Sequence, residues 1–358
     1  MHSAKENRDY GIDCVKVLAV FFVILHHVVD CGLTMSDTAG GALKTIWYLT
    51  HTVALTCVNL FALVTGYLCV TSGSAHRRLL SLWVQTLSIG LIVSAVIALV
   101  GGNVRAGDWL RSLFPVVTGE YWYFTAYVVI CLFMPFVNPG ARSLDRKAFA
   151  GLLIAFFLLM SVSSLFTEGD PFVLKNGYSF AWLLVVYLFG AYWRLHMAKP
   201  PPLAACVAVL CTFSFVFMIP SIGKRMFSGE LSAWFADFNP VRYTSPFTFM
   251  MSLALFGLFK RIDVKNRIVR LALVSASKKS LGIYLWLVHP VFWYSVWRPR
   301  LGAVVIDRIG AFAAYTIIVS ICSFASAWIL ESIRQWTFDR IGRLCGTARR
   351  NKAIRIAQ

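Results

Sequence analysis

The stretch Tyr10-Gly-Ile-Asp-Cys-Val-Lys16-Val-Leu-Ala-Val-Phe-Phe-Val-Ile-Leu-His26-His27 decides what kind of protein this is. Together with Val28 to Cys31, its apolar run is long enough to cross a ~30 Å hydrocarbon layer as a helix. Residues 1–10 are polar, and no small-residue cleavage site follows the run, so it reads as a first span that stays in the protein. Asp13, Lys16, His26, His27 and Asp30 lie along it, and such groups are costly in lipid unless they have work to do.

The rest of the 358 residues agree with a membrane solvent. Hydrophobic residues make up 58% and charged ones only 14%, with a mean hydropathy of +0.70. A soluble domain holds about 45–50% apolar and about 25% charged residues, so this chain could not cover a water-facing surface. Its net charge of +18 sits in short clusters between apolar runs, the pattern that orients a membrane protein rather than one that grips nucleic acid. The nine cysteines show no metal-ligand spacing and read as small core residues.

Hydropathy predicts about ten transmembrane helices, near residues 12–31, 45–70, 79–100, 121–138, 149–166, 180–197, 203–220, 245–259, 280–297 and 310–331. The fold class is therefore all-α and polytopic, with the fourth span interrupted at Pro135. With both termini placed in the cytoplasm, 24 of the 34 Lys and Arg fall on the inner side, as the positive-inside rule requires. Residues 1–335 read as one membrane domain and 336–358 as a basic cytoplasmic tail, with 260–279 an inner loop. Two longer outer loops, 101–120 and 221–244, mix aromatic and charged residues. They fit either sugar rings or an aromatic belt at the headgroups.

Candidate chemistry starts from Lys16 and His27. Eleven residues at 100° each bring them within about 20° of one helical face, roughly 16 Å apart along the axis. Asp30 follows His27 by three and His26 by four, within reach of either imidazole. A histidine at this depth is either a general base with a pKa near neutrality or a packing group bonded to a neighbouring carbonyl. His51 in the second span and His289, before Pro290 in the ninth, are expected at similar depth. Arg77 and Arg78, where the second span returns to the third, suit either a phosphate clamp or an inner-face anchor.

These landmarks resemble the acyltransferase 3 family of bacterial membrane acyltransferases, particularly the exopolysaccharide and capsule branch, over about residues 8–335. Ile12-Asp13, Lys16 and His27 are similar to that family's first span, where the basic residue is more often arginine. Phe61-Ala-Leu-Val-Thr-Gly66-Tyr-Leu, with Arg77-Arg78 after it, resembles the close of its second span. Its following basic pair is often spaced Arg-x-x-Arg, whereas Ser81 stands three residues after Arg78. Tyr121-Trp122-Tyr-Phe through Pro135, Asn176-Gly-Tyr-Ser through Gly190-Ala-Tyr-Trp-Arg194, Tyr243-Thr-Ser-Pro246 and Gly282-Ile-Tyr through His289 are similar to its later landmarks.

The resemblance implies O-acylation, usually O-acetylation, of a surface polysaccharide or its lipid-linked precursor in the bacterial plasma membrane. The donor would be cytoplasmic acetyl-CoA or another acyl-CoA. It implies His27 as the essential histidine, Lys16 as its basic partner, and Arg77 and Arg78 with Lys16 at the coenzyme. His51, His289 and Trp122 are the candidates for holding the acceptor. Asp30 would orient His27 as the carboxylate of a triad does, and an activated thioester is expected to need no metal. A transporter or flippase would also explain intramembrane histidines and broken helices, but the two halves show no convincing repeat.

Overall fold

The computed structural model describes the backbone of residues 8–31, 34–35, 39–72, 75–166 and 169–356; side chains are described for these except 31, 34, 75–78, 236 and 344–356. Among the described residues, eight helices are long and apolar enough to cross a membrane: Tyr10–Asp30, Gly41–Cys69, Leu79–Leu99, Trp122–Ser143, Arg146–Leu165, Leu203–Met226, Arg267–Val288 and Ile309–Arg343. Two shorter apolar helices, Phe180–His196 and Pro246–Phe259, complete the ten segments expected from hydropathy. The protein is an all-α, multi-pass membrane protein. A two-residue parallel ladder pairs Thr34 and Met35, after the first span, with Val305 and Ile306, before the tenth.

Four boundaries differ from the hydropathy reading, each for a local reason. The second span bends at Leu55–Thr56, where the Thr52 and Thr56 hydroxyls donate back to Tyr48 and Val53 carbonyls at 2.8 Å, a habit that bends helices. The fourth runs unbroken through Pro135 and Pro139 to Ser143; both prolines lie on its exposed side, and membrane helices tolerate proline through small local adjustments of the backbone. The ninth begins at Arg267 rather than 280, because the Asn266 side chain caps the Ile268 and Val269 N–H groups at 2.9 and 3.2 Å. Most of the expected inner loop 260–279 is therefore helix. The tenth continues as one helix to Ile356, so no break at 335 sets off the basic segment.

What holds the centre together is close backbone approach and buried polar pairs. A Cβ on Gly66 would collide with the Tyr187 carbonyl, and one on Gly190 with the Leu63 carbonyl. The second and sixth spans thus touch main chain to main chain, as small residues permit in membranes. Beside that contact, Tyr187 donates to Asn138 at 2.6 Å and Asn138 to the Cys69 carbonyl at 2.9 Å. Trp182 donates to Asn59 at 2.9 Å, and Asn59 to the Tyr243 carbonyl at 3.0 Å. The first and second spans are mostly buried, whereas the fifth, seventh and tenth present most of their surface outward.

A second polar centre ties the tenth span to its neighbours. Glu331, fully buried, accepts from Arg334 Nε and Nη2 at 2.8 and 2.6 Å, from Gln85 at 3.1 Å and from Trp286 at 3.2 Å. A carboxylate this deep persists only when paired and hydrogen-bonded.

Candidate active site

The first span opens with its own anchors. Asp9 caps the helix through the Ile12 N–H at 3.2 Å and pairs with Lys260. Asp13, buried, takes Arg8 bidentately at 2.6 and 2.8 Å and accepts from the Ser277 hydroxyl at 2.5 Å. These contacts fix the rotation of the helix against the ninth span, and with it the face that carries Lys16 and His27.

That face lines a cavity of about 340 Å³ enclosed by the first, second, third, fourth and ninth spans. Lys16, Gln85, Ser277 and Lys278 border it near the N-terminal end of the first span. Towards the other end lie His26, His27, Trp122 and Tyr243. The eleven-residue spacing therefore delivers both Lys16 and His27 to one space.

At His27 the helix changes from α to π, and His27–Cys31 form a π turn, a feature common at functional sites. His27 Nδ1 lies 2.8 Å from the Val23 carbonyl. A carbonyl only accepts, so Nδ1 carries the proton in this contact and Nε2 keeps its lone pair in the neutral ring. The ring stands edge-on to Trp293 at 5.1 Å and parallel to Trp297 at 6.5 Å, so aromatic packing holds its plane.

Asp30 meets more than the imidazole expected for it. It pairs with His51 Nε2 at 3.3 Å, while a backbone carbonyl sets the His27 tautomer. A π turn closes i→i+5 rather than i→i+4, which shifts the offset of Asp30 along the helix while leaving its charge close enough to act on His27. His51 stacks flat on Trp47 at 5.5 Å, and His26 lies between His27 and His51 at 5.4 and 5.2 Å.

His26, Asp30 and His51 offer ligand atoms within 4.8 Å of one another. Bonds of ~2.0–2.2 Å require ligand atoms roughly 3.3–3.6 Å apart, so an ion would have to draw the group together. As placed, the Asp30–His51 contact suits a hydrogen bond.

The remaining candidates separate. Trp122 borders the cavity and packs on Tyr178 at 4.6 Å. His289, fully buried, accepts from the Val291 N–H at 3.2 Å and packs edge-on to Tyr121 at 5.9 Å. It caps the turn after Pro290 rather than bordering the cavity with His27. Arg77 and Arg78 lie in the first turn of the helix Ala75–Leu99, with side chains outside the described residues. Sequence reasoning passed over Lys278 and Ser277, hidden in the supposed loop, and Glu331. The Glu331-x-x-Arg334 spacing at the close of the last span was the available signal for the last of these.

A helical membrane bundle with an imidazole and a lysine on one enclosed face has the parts of a membrane acyltransferase. Residues 9–331 match the family model described as an acyltransferase domain, and the chain belongs to that family, acyltransferase 3. Comparison with curated proteins and with solved structures finds no match.

Proposed function

We propose that this acyltransferase moves an acyl group, acetyl in the first instance, from cytoplasmic acyl-CoA to a hydroxyl of a surface polysaccharide or its lipid-linked precursor. The reading places the protein in a bacterial plasma membrane with both termini inside. The observation that carries it is the cavity bordered by Lys16 and His27, with His27 Nδ1 engaged by Val23 and Nε2 left basic.

In this reading His27 Nε2 takes the proton of the acceptor hydroxyl as its oxygen attacks the thioester carbonyl. The C–S bond then breaks, and the proton passes from the imidazolium to the departing thiolate, so coenzyme A leaves as the thiol. Trp293 and Trp297 keep the ring from turning during the exchange. Lys16 and Lys278, with Arg77 and Arg78 on the same side, supply positive charge for the phosphates of the coenzyme. The thioester is already activated, so the chemistry calls for no metal.

Mass spectrometry of the surface glycans of cells with and without the gene tests the reading. The expected result is one glycan that loses acyl groups in the deletion strain and regains them with the wild-type gene but not with His27→Ala. Unchanged acylation of every envelope glycan overturns it.

A further inference from the structure

A second, smaller cavity of about 190 Å³ lies beside the loop 239–245, apart from the one that holds His27. Ser164, Asp170, Lys175, Asn176, Arg242 and Thr244 border it. Arg242 and Thr244 flank Tyr243, which borders the main cavity. Three rings pack together beside the main cavity: Tyr178 lies tilted against Trp122 at 4.6 Å and edge-on to Tyr243 at 5.1 Å.

The guanidinium of Arg242 is the unusual group. Its Nη1 donates to the Asn176 side-chain oxygen at 3.3 Å and its Nη2 to the Ser164 carbonyl at 2.5 Å. Both acceptors are neutral, and Nε is buried with no hydrogen-bond partner among the described residues. No carboxylate of the described residues forms an ion pair with Arg242. Asp170, which shares the cavity, is already engaged by the Leu174 and Lys175 N–H groups at 2.7 and 2.6 Å. Burial lowers the Arg242 pKa, the sign of a cation short of a counter-ion. A half-buried guanidinium with only neutral acceptors is an incomplete site: Nε and the remaining Nη2 hydrogen form the edge that takes a carboxylate bidentately.

The backbone opposite is strained to match. Val173, Lys175 and Asn176 adopt φ of 53°, 50° and 56°, and a β-branched valine there is an outlier. Gly177 follows at φ 101°, where any Cβ would collide with Tyr243. Such strain persists only where surrounding structure imposes it, and it gathers at ligand sites. Here it presses the loop onto Tyr243 and brings Asn176 to the guanidinium.

We infer that this cavity is an acceptor subsite that binds the carboxylate of an acidic sugar, with Arg242 as the specificity residue and the Trp122–Tyr178–Tyr243 rings guiding the neighbouring sugar towards His27. The inference rests on the acyl-transfer reading above and narrows its acceptor to a carboxylate-bearing glycan. A phosphate, from the lipid carrier or from a membrane lipid headgroup, is the competing anion. The planar two-donor edge favours the carboxylate.

The test uses the glycan identified by the deletion comparison, deacylated and divided into native and carboxyl-reduced portions. Full-length wild-type protein and Arg242→Gln and Arg242→Lys variants are assayed in nanodiscs of uncharged lipid with acetyl-CoA. A charge-assisted pair contributes about 1.5–3 kcal/mol, which converts to a preference of roughly 10- to 100-fold in kcat/KM for the native glycan, carried mainly by KM. Arg242→Gln should abolish that preference while leaving the rate on reduced glycan and the KM for acetyl-CoA unchanged. Arg242→Lys, which keeps charge and loses the fork, should fall between.

An acylated glycan without any carboxylate overturns the inference. So do equal rates on the two portions, an Arg242→Gln loss of the same size on both, or a preference that appears only with anionic lipid. If no glycan changes in the deletion strain, the acyl-transfer reading fails and this inference with it; every other adverse result leaves that reading standing.

Discussion

The two ends of the main cavity are built from different materials. Near the start of the first span the bordering groups are polar, Lys16, Gln85, Ser277 and Lys278, and the two lysines carry charge on flexible stems. At the other end they are rings, His26, His27, Trp122 and Tyr243, packed among further rings. Flexible cations can share one multiply charged ligand, and removing one weakens binding by a step. A rigid ring that must place one nitrogen has no understudy. The polar end, where the coenzyme is proposed to bind, should therefore fail gradually and the ring end all at once.

The largest expected effect tests that contrast directly. His27→Ala should lower acyl transfer by at least 10²–10⁴ at matched protein levels, with the KM for acyl-CoA little changed. His26→Ala, which removes a neighbour rather than the base, should cost no more than a modest factor. Glycan acylation and acyl-CoA consumption, followed in parallel in membranes, read both variants. An active His27→Ala protein beside a dead His26→Ala one would reverse the assignment.

Next in size is a variant that touches the donor end through its support. Glu331→Gln leaves Arg334 buried without its carboxylate, a loss of about 3–5 kcal/mol in soluble proteins. Thermal unfolding in detergent should show a clearly lowered midpoint, and Gln85 should lose its anchor in the same variant. A wild-type midpoint would mean that this centre contributes nothing to stability.

Smaller again, Lys16→Gln with Lys278→Gln should raise the KM for acyl-CoA by about 10-fold with kcat less affected. Arg77→Gln with Arg78→Gln should do the same if the pair holds phosphate, and should alter only insertion if it is an anchor. Asp30→Asn should reduce the rate only several-fold, because His27 takes its tautomer from Val23 and not from Asp30. A loss as large as that of His27→Ala would return Asp30 to the catalytic group.

The smallest effect concerns Glu120, in the connection before the fourth span, whose carboxyl burial pushes up to about 7. A folded-state pKa raised above the unfolded one gives stability that is complete at low pH. It is lost as pH rises from about 4.5 through about 7. The protein should accordingly melt slightly higher at pH 5 than at pH 8, and Glu120→Gln should flatten that difference. An unchanged slope in the variant would assign the pH dependence to other groups.

The first span was legible because a strict helical period carried Lys16 and His27 to one face, and the α-helix persists from Tyr10 to His26. The pairing of Asp30 with His51 was not, because nothing in the residues announces the π turn that begins at His27 and shifts the later offsets. The ninth span was half legible: Arg267, Arg270, Lys278 and Lys279 lowered its hydropathy, although Asn266 announced the start. With that start missed, Lys278 was assigned to a loop instead of the cavity wall. The glycines of the second and sixth spans stood out by motif, but only three dimensions reveal that Gly66 and Gly190 meet across one backbone contact. Arg242 showed in the sequence only as one charge in an outer loop that could hold sugar rings, since its particular meaning lies in which neighbours it lacks.

The parallel pairing of Thr34–Met35 with Val305–Ile306 joins the connection after the first span to the one before the tenth. Between them, Phe21 and Phe324 bring the two helices themselves together at 6.5 Å. The polypeptide is thus bound into a hoop, stitched at the place where its early and late segments meet. The tenth span presents most of its surface outward, yet a push on Thr34–Met35 is felt at once by the segment leading into it. Parallel strands need a long intervening crossover; here the second to ninth spans serve as that crossover, so the stitch can close only after the ninth span and the segment that follows it have been made.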